Sequence, residues 1–592
     1  MAMMTDTIPS LPERLRARAA ASPDGIAYRY RAGSDDWRSV TWREVALRVD
    51  ALARQLARLG LRAGDRVAIM LAPSPEWEYC QFAVLTLGGV VVGIDAHDAP
   101  RNLKHILSLT QPRLLVTADD EKLRMLGALW HPPEIAITCA PNGPGGSHAL
   151  RDLLTAPDAS SEALPPPAPE DAATIVFTSG STGQPKGIAY SHRQVTYACD
   201  AILERFPSLR PDARLACWLP LSNLFQRMIN FCALTRGTTS YFVDDPAQIV
   251  GLLPQVQPTL FIGVPRFFEK LHAGILTEIA KRPAAVRALV LSAWAVGCRI
   301  AAARRAGRPP ALAWRALQPL AAPVLHRLRA IVGEELQFMV SGSAPMPTWL
   351  LERLHGLGWL VLEAYGISEN VIPVAANTPE HYRFGSVGRA LPDNELRIAE
   401  DGELLVRGPG VFSGYYGEGT PAGPLGPDGF LHTGDFARID GDGYVWLEGR
   451  KSEVFKTSTG RRVAPAPIEA ALKQIDYVDD AVIIGRDRPY PVAILVLDPV
   501  HPVTGATRSE AAATIAADVA AACETFSDYQ RPGVVILSPQ PFTIAAGELT
   551  ANLKIRRTPI ESRFRAQIEA AYAHPAPRKP AGPFRPRIIH TQ

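Results

Sequence analysis

Thr174-Ile-Val-Phe-Thr-Ser-Gly-Ser-Thr-Gly-Gln-Pro-Lys-Gly187 is the stretch from which the rest of the chain is best read. Ile175, Val176 and Phe177 are apolar and β-prone and predict a short buried strand. It runs into a loop holding Gly180, Gly183 and Gly187, with hydroxyls at Thr178, Ser179, Ser181 and Thr182. Glycines let backbone N–H groups turn inward around an anion, and hydroxyls add donors without adding charge. Lys186 adds a cation, so the residue types suit phosphate. The common P-loop needs Gly-Lys-Ser/Thr opening a helix. Here the order is Lys-Gly, and Pro185 lacks an N–H and disfavours helix at Gln184. The competing reading of this stretch alone is a glycine-rich turn after a strand.

Composition narrows the class. A chain of 592 residues is too long for one core, so two or more domains are expected. Apolar content of 47% with 20% charged residues is ordinary for a soluble globular protein. A net charge of +3 makes no case for bulk nucleic-acid binding. The seven cysteines (80, 139, 199, 217, 232, 298 and 523) form no CxxC pair. That suits a reducing, cytoplasmic setting and argues against a zinc site or disulfide framework. Met1–Pro12 has no signal-peptide pattern, and no run of eighteen apolar residues is found, so no membrane span is expected.

Apolar residues at helical spacing between Trp42 and Leu59 lead through Gly64-Asp65 into a strand at 66–71. Further strands are expected at 88–94 and 114–117, which suggests a doubly wound α/β layer. Residues 140–171, rich in Pro, Gly, Ser and Ala, read as a surface linker. A helix starts near Tyr190–Gln194, where His192 fits either a nucleotide site or a structural role. Strands followed by turns are expected at 260–263, 338–346, 359–369 and 402–409, and Asp440–Gly443 reads as a hairpin turn. The helical pattern at 468–475 and strands at 480–485 and 492–496 predict a small α+β C-terminal domain. The Pro- and Arg-rich tail is expected to be disordered. Between Ile279 and Gly333 there is no Asp or Glu, but there are ten Lys and Arg residues in an Ala- and Leu-rich helical pattern. Such a segment fits an anionic membrane surface, an acidic carrier protein or CoA phosphates, or a solvated face.

The 174–187 loop resembles the signature of the adenylate-forming superfamily: acyl-CoA synthetases, luciferases and peptide-synthetase adenylation domains. Later stretches carry the same resemblance in the same order: Leu219–Arg227, Phe338–Met346, Tyr365–Glu369, Phe430–Asp435, Gly449–Gly460 and Glu548–Arg557. The chain is most similar to long-chain fatty acyl-CoA synthetases, partly through Pro258–Glu269, where that branch builds some of its acyl pocket, and through the helical insertion at 279–333. It departs from the family pattern at Asn223 (usually His or an aromatic), Gln226 (usually Glu), Ala551 and Asn552. Asn223 cannot titrate near neutral pH or stack like an aromatic, which bears on acyl gating.

The resemblance implies an α/β fold: a large N-terminal domain of layered α/β sheets with a β-barrel-like part, and a small mobile α+β C-terminal domain. The expected boundaries are 1–449, 450–574 and a disordered 575–592. It implies ATP, Mg²⁺ and CoA as co-substrates and cofactor. The phosphate cradle would be Thr178, Ser179, Gly180, Ser181, Thr182, Gly183 and Lys186. Gly342, Ser343 and Ala344 would hold adenine and the acyl group, with Tyr365 stacking on adenine beside Gly366 and Ser368. Glu369, with Thr178, would hold Mg²⁺. Asp435 would take the ribose hydroxyls and Arg450 ribose or phosphate, with a hinge within Arg450–Ser452. Lys554, Glu369 and Thr182 form the implied catalytic set.

The implied reaction activates a carboxylic acid, a medium- or long-chain fatty acid, to acyl-AMP with release of pyrophosphate. Transfer to CoA follows, giving acyl-CoA and AMP. The alternative is a fatty acyl-AMP ligase that feeds an acyl carrier protein; a non-catalytic nucleotide-binding or membrane-surface protein is a third class. Peripheral contact with the inner membrane surface through 279–333 is the implied exception to a cytoplasmic location. The chemistry needs cations because a carboxylate must approach an α-phosphate. Two unit charges about 4 Å apart repel by ~4 kcal/mol at an effective dielectric near 20. Mg²⁺ and Lys554 would offset this, and the acid itself is the nucleophile, so no Ser/His/Asp triad is required.

Overall fold

The computed structural model describes residues 9–31, 33, 36–131, 133–139, 147–155, 164–178, 184–417, 423–499, 501–505, 507–543, 546–549, 555–573 and 584–590. The chain divides into two compact units. The first comprises Met1–Leu396, Val406–Leu431 and Gly443–Val445; the second comprises Arg397–Leu405, His432–Asp442 and Trp446–Gln592.

Two sheets organise the first unit. A seven-stranded sheet runs in the order Ser147–Ala149, Ile135–Thr138, Leu114–Thr117, Arg66–Met70, Val90–Gly93, Ala172–Phe177 and Gly187–Ser191. All its pairs are parallel except the last. A nine-stranded sheet is parallel from Val361–Ile367 through Phe338–Ser341, Leu260–Gly263, Arg214–Cys217 and Thr239–Phe242 to Ile26–Arg31. Antiparallel strands edge it at both ends: Trp37–Thr41 on one side, Asn370–Ala376 and Arg389–Ala390 on the other. The parallel strands Val90–Gly93, Leu260–Gly263 and Phe338–Ser341 are buried along their whole length, as sheets covered on both faces require. Thr41 caps the helix Trp42–Arg58 in a reciprocal box with Glu44, and Ser191 does the same for His192–Arg205 with Gln194.

Helices Pro265–Ala280, Ala284–Arg305 and Leu312–Arg329 intervene between Leu260–Gly263 and Phe338–Ser341. The helix Ala284–Arg305 lies against the helix Thr348–Leu357 at glycine: a Cβ on Gly297 would lie 2.1 Å from the Gly356 carbonyl oxygen. Trp294 is fully buried there and its indole donates to the Arg353 carbonyl at 2.8 Å. By length and composition alone this helix is apolar enough to cross a membrane. Eleven uncharged residues separate Arg287 from Arg299, short of a run of eighteen. The linker expected at 140–171 is corrected in part. Ser147–Ala149 forms the edge of the seven-stranded sheet, and Leu150–Thr155 is a helix with Leu150 buried.

Where a barrel-like part was expected, four strands form a sheet in chain order: Glu395–Ile398, Glu403–Arg407, Leu431–Ile439 and Val445–Arg450. In the second unit, Val478–Ile484, Val492–Leu497, Val534–Ser538 and Arg587–His590 form another sheet. Apolar residues of Pro465–Leu472 and Arg508–Ala522 cover one face, and those of Arg557–Arg563 and Arg565–Tyr572 the other. The tail expectation is therefore corrected for Arg587–His590, which pairs in parallel with Val534–Leu537. Ile588 and Ile589 face opposite cores, and that alternation overrides the Pro/Arg-rich composition.

Candidate functional site

In the first unit, the candidate residues gather where strands of both sheets end. The strand Ala172–Phe177 turns back into Gly187–Ser191, with Phe177 opposite Gly187. Thr178 closes the base of the intervening loop: its N–H donates to the Lys186 carbonyl at 3.0 Å, and its hydroxyl accepts from the Lys186 N–H at 3.3 Å. Ser179, Gly180, Ser181, Thr182 and Gly183 lie outside the described residues.

Strands Val361–Ile367 and Asn370–Ala376 form a hairpin with Ile367 opposite Asn370, so Ser368 and Glu369 are its two turn residues. Glu369 thus sits on a turn and not in the first turn of a helix. Tyr190 donates its hydroxyl to the Ser368 carbonyl at 2.5 Å. The segment 410–416 braces the same place: Val371 N–H donates to Gly410, Phe412 N–H to the Glu369 carbonyl, and Tyr416 N–H to Gly187. Tyr415 donates its hydroxyl to Glu369 Oε1 at 3.0 Å, and Lys186 Nζ lies 4.2 Å from the centre of its ring. A cation and a carboxylate of the predicted set therefore meet on one tyrosine that sequence reasoning missed. The only sequence signal for it is a Gly-Tyr-Tyr triplet at 414–416.

Gly342, Ser343 and Ala344 follow the strand Phe338–Ser341. Gly342 lies against the Phe225 ring, where a Cβ would be 3.1 Å from the nearest ring atom. Ser343 has a φ of 73°, a left-handed conformation that non-glycine residues adopt at a cost. Tyr365 is buried and Gly366 exposed. Glu363, on the same strand as Tyr365, is buried and accepts N–H groups of Met346 and Gly385, both at 3.1 Å. Burial pushes its carboxyl up to about 7, against the pull of those two bonds.

A buried polar network supports the strand that feeds the phosphate loop. Arg227 donates to Gln81 at 2.8 Å and to the Thr174 hydroxyl at 2.9 Å. Asn230 donates to Glu78 at 2.7 Å, and Gln226 donates to Asn230 while accepting N–H groups of Trp218 and Leu219. Asn223 is the N-cap residue of the helix Leu224–Arg236 and makes no side-chain cap bond. His192 is fully buried and its Nδ1 accepts the Leu11 N–H at 3.4 Å; burial lowers its pKa to about 4. It is a structural histidine.

The second unit carries the rest. Asp435 is buried, and Arg450 Nε lies 2.9 Å from its Oδ1. Beside this pair, Lys451 Nζ bridges Asp401 at 2.6 Å and Glu403 at 2.9 Å. Burial pulls the Glu403 carboxyl up, but His432, Lys451 and the Gly434 N–H outweigh it and hold it below its ordinary value. Within Thr457–Gly460, the Thr457 and Thr459 hydroxyls lie 2.8 Å apart. Lys554 lies outside the described residues. The residues flanking its segment form a hairpin base: Leu549 pairs with Ile555, and Arg556 N–H donates to the Glu548 carbonyl at 2.8 Å.

Among the described residues, no group of three or more His, Cys, Asp or Glu is arranged to hold a metal. A single carboxylate fits Mg²⁺ nonetheless, because Mg²⁺ keeps waters and takes phosphate oxygens with one or two carboxylates. Glu369, at a turn next to the loop base, suits that role by chemistry. The Thr178 hydroxyl is engaged in closing the loop.

Residues 15–416 match the family described as AMP-binding enzyme, and residues 453–576 match the AMP-binding enzyme C-terminal domain. The chain belongs to the AMP-binding enzyme family. This family member is 31% identical over 576 residues to the long-chain-fatty-acid–CoA ligase FadD15 of Mycobacterium bovis, spanning 93% of this chain and 95% of that one. Its fold is shared with the adenylation domain of a carboxylate reductase from Mycobacterium chelonae, at a TM-score of 0.78 and 21% identity over 95% and 91% of the two chains. It is also shared with the o-succinylbenzoate coenzyme A synthetase of Bacillus subtilis solved with ATP and magnesium, at a TM-score of 0.68 and 21% identity over 92% and 98%.

Proposed function

We propose that this AMP-binding enzyme activates a fatty acid with ATP to acyl-AMP and pyrophosphate, then transfers the acyl group to CoA, giving acyl-CoA and AMP. The observation that carries the reading is Lys186 and Glu369 held on Tyr415 where the phosphate-loop hairpin and the Ser368–Glu369 turn meet. Likeness to the fatty-acid–CoA ligase FadD15 over nearly the whole chain supports the substrate class and the thiol acceptor. Mg²⁺ on Glu369 would supply charge neutralisation at the phosphates. Lys186 and the loop residues Thr178–Gly183 would grip the departing diphosphate. Gly342–Ala344 and Tyr365 would seat adenine, Asp435 the ribose and Arg450 ribose or phosphate. Lys554 would lie between the fatty-acid carboxylate and the α-phosphate, on a C-terminal lid (450–574) hinged within Arg450–Ser452. Trp218 just after the strand Arg214–Cys217, Phe261 within Leu260–Gly263 and Phe267 in the helix Pro265–Ala280 form an aromatic cluster suited to an acyl-chain wall. Transfer to an acyl carrier protein is the second reading. Carboxylate-dependent ATP–pyrophosphate exchange across a panel of acids, followed by a thioester assay with CoA or carrier protein, tests both. No exchange with any acid overturns the first; thioester formed on carrier protein alone favours the second.

The same enzyme is proposed to work in the cytoplasm against an anionic bilayer surface. Val286, Leu289, Leu291, Leu312, Leu317 and Leu320 are exposed on the helices Ala284–Arg305 and Leu312–Arg329. Exposed Lys281, Arg282, Arg287, Arg299, Arg304, Arg308, Arg315, Arg327 and Arg329 surround them with no acidic residue in the segment. Apolar side chains among cations fit the boundary between acyl chains and anionic headgroups.

A further inference from the structure

We infer that Tyr415 is a positioning residue that sets metal binding and phosphate binding through two different parts of one side chain. The inference rests on the proposed adenylation reading and deepens it. The hydroxyl of Tyr415 meets one oxygen of Glu369 at 3.0 Å, while its ring faces Lys186 Nζ at 4.2 Å from the centroid. A neutral donor on one carboxylate oxygen holds the rotamer of Glu369 without cancelling its charge, so the group keeps its attraction for a divalent cation. The ring attracts the lysine ammonium by its quadrupole and likewise leaves the positive charge intact for a phosphate. An acidic residue in place of Tyr415 would pair with the lysine and repel the glutamate. A tyrosine orients both charges and neutralises neither.

The backbone makes Tyr415 a fixed platform. Tyr415 bridges to Ile188 of the hairpin that follows the loop, and Tyr416 N–H donates to the Gly187 carbonyl at 2.8 Å. On the other side, Val411 bridges to Asn370 and Phe412 N–H donates to the Glu369 carbonyl at 2.9 Å. Gln194 donates to the Val411 carbonyl at 3.1 Å, and the Phe412 ring packs edge-on against Tyr415 with centroids 5.0 Å apart. Gly410 admits no side chain: a Cβ there would lie 2.5 Å from Asn370 Oδ1. The segment is stitched to both the loop hairpin and the Glu369 turn, so the tyrosine moves only if they do.

Two substitutions separate the two contacts. Tyr415→Phe keeps the ring and removes the hydroxyl; Tyr415→Leu removes both. In the full-length enzyme, Tyr415→Phe is expected to raise the Mg²⁺ concentration for half-maximal ATP–pyrophosphate exchange about 10-fold and leave the ATP KM within twofold, the lower end of what losing an outer-sphere partner of a metal ligand costs. Tyr415→Leu is expected to raise the ATP KM as well. A readout without turnover uses Mn²⁺ as probe: its dissociation constant in the presence of a non-hydrolysable ATP analogue, from water proton relaxation, should rise by a similar factor in Tyr415→Phe. Thermal melts establish that both variants fold. If Tyr415→Phe melts like the parent and neither its metal dependence nor its Mn²⁺ affinity moves, the inference is overturned. If the parent enzyme supports no exchange with any carboxylate, the adenylation reading fails, and the Mn²⁺ titration still decides the role of Tyr415.

Discussion

Arg227 is a guanidinium with almost no access to water, and its neighbours explain how the fold tolerates it. Burial lowers its pKa to about 10, and Glu78 works against that shift. Gln81 and Thr174 accept from Arg227, while Gln81 and Asn230, the latter accepting from Gln226, donate to Glu78. With one carboxylate already opposite one cation, a neutral side chain at position 226 leaves the pocket electrically balanced. The departure at Gln226 is thus legible in the sequence, but Glu78, reached from Gln226 through Asn230, is not, since it sits in the almost wholly buried helix Pro75–Thr86, which shows no amphipathic pattern. Arg227→Ala should cost about 3–5 kcal/mol, the usual penalty for stranding a buried charge. The double variant with Glu78→Gln should cost less than the sum of the single losses, as urea unfolding followed by tryptophan fluorescence would reveal. Glu363 adds a pH dependence. Its folded pKa of about 7 lies above the unfolded value, so the folded state holds the extra proton between about pH 4.5 and 7. Stability from this group is present below that window and is lost as pH rises through it, by about 3 kcal/mol in total. Glu363→Gln should flatten the dependence of the unfolding midpoint on pH across the same range; an unchanged slope would contradict the assignment.

Elements were most legible where chemistry and periodicity agree. The strand at 172–177, the turn at 368–369 and the strand at 338–341 lie where apolar runs meet glycine and hydroxyl residues. Composition misled in both Pro-rich stretches, the 140–171 linker and the tail: Ser147–Ala149 and Arg587–His590 are short strands that add to sheets already built, and such pairing leaves little trace in a local pattern. The helices Ala284–Arg305 and Leu312–Arg329 were expected as helices, but which residues face outward was not readable. That depends on Trp294 and Gly297 choosing the docked face. Their exposed leucines carry a prediction. The parent should float with vesicles containing anionic lipid at low salt and release as salt rises. Leu289→Ser/Leu312→Ser/Leu320→Ser should abolish flotation and leave exchange activity in detergent-free buffer within about twofold. Persistent flotation of the triple variant would assign the contact elsewhere.

Across the whole molecule, family membership was visible because widely separated motifs occur in one order, and no single one of them decides it. What motif reading cannot supply is the support around each charge: Tyr415 at Glu369, and Lys451 with Glu403 beside the Asp435–Arg450 pair. The two-step chemistry also belongs to this scale. Lys554→Ala should lose at least about 100-fold in exchange, since one cation opposing two anions is worth a few kcal/mol. It should still convert supplied acyl-AMP and CoA to acyl-CoA at close to the parent rate. Equal loss in both half-reactions would show that the lysine serves folding or substrate entry instead.

The basic helical pair has its own small interior of Ala293, Val296, Ile300 and Ala321 and enters the chain between two neighbouring strands of the nine-stranded sheet. Its outer surface can be rewritten by point changes that never reach a strand end. Under the proposed bilayer contact, the place where substrate is captured would be separable by engineering from the rate at which it is activated.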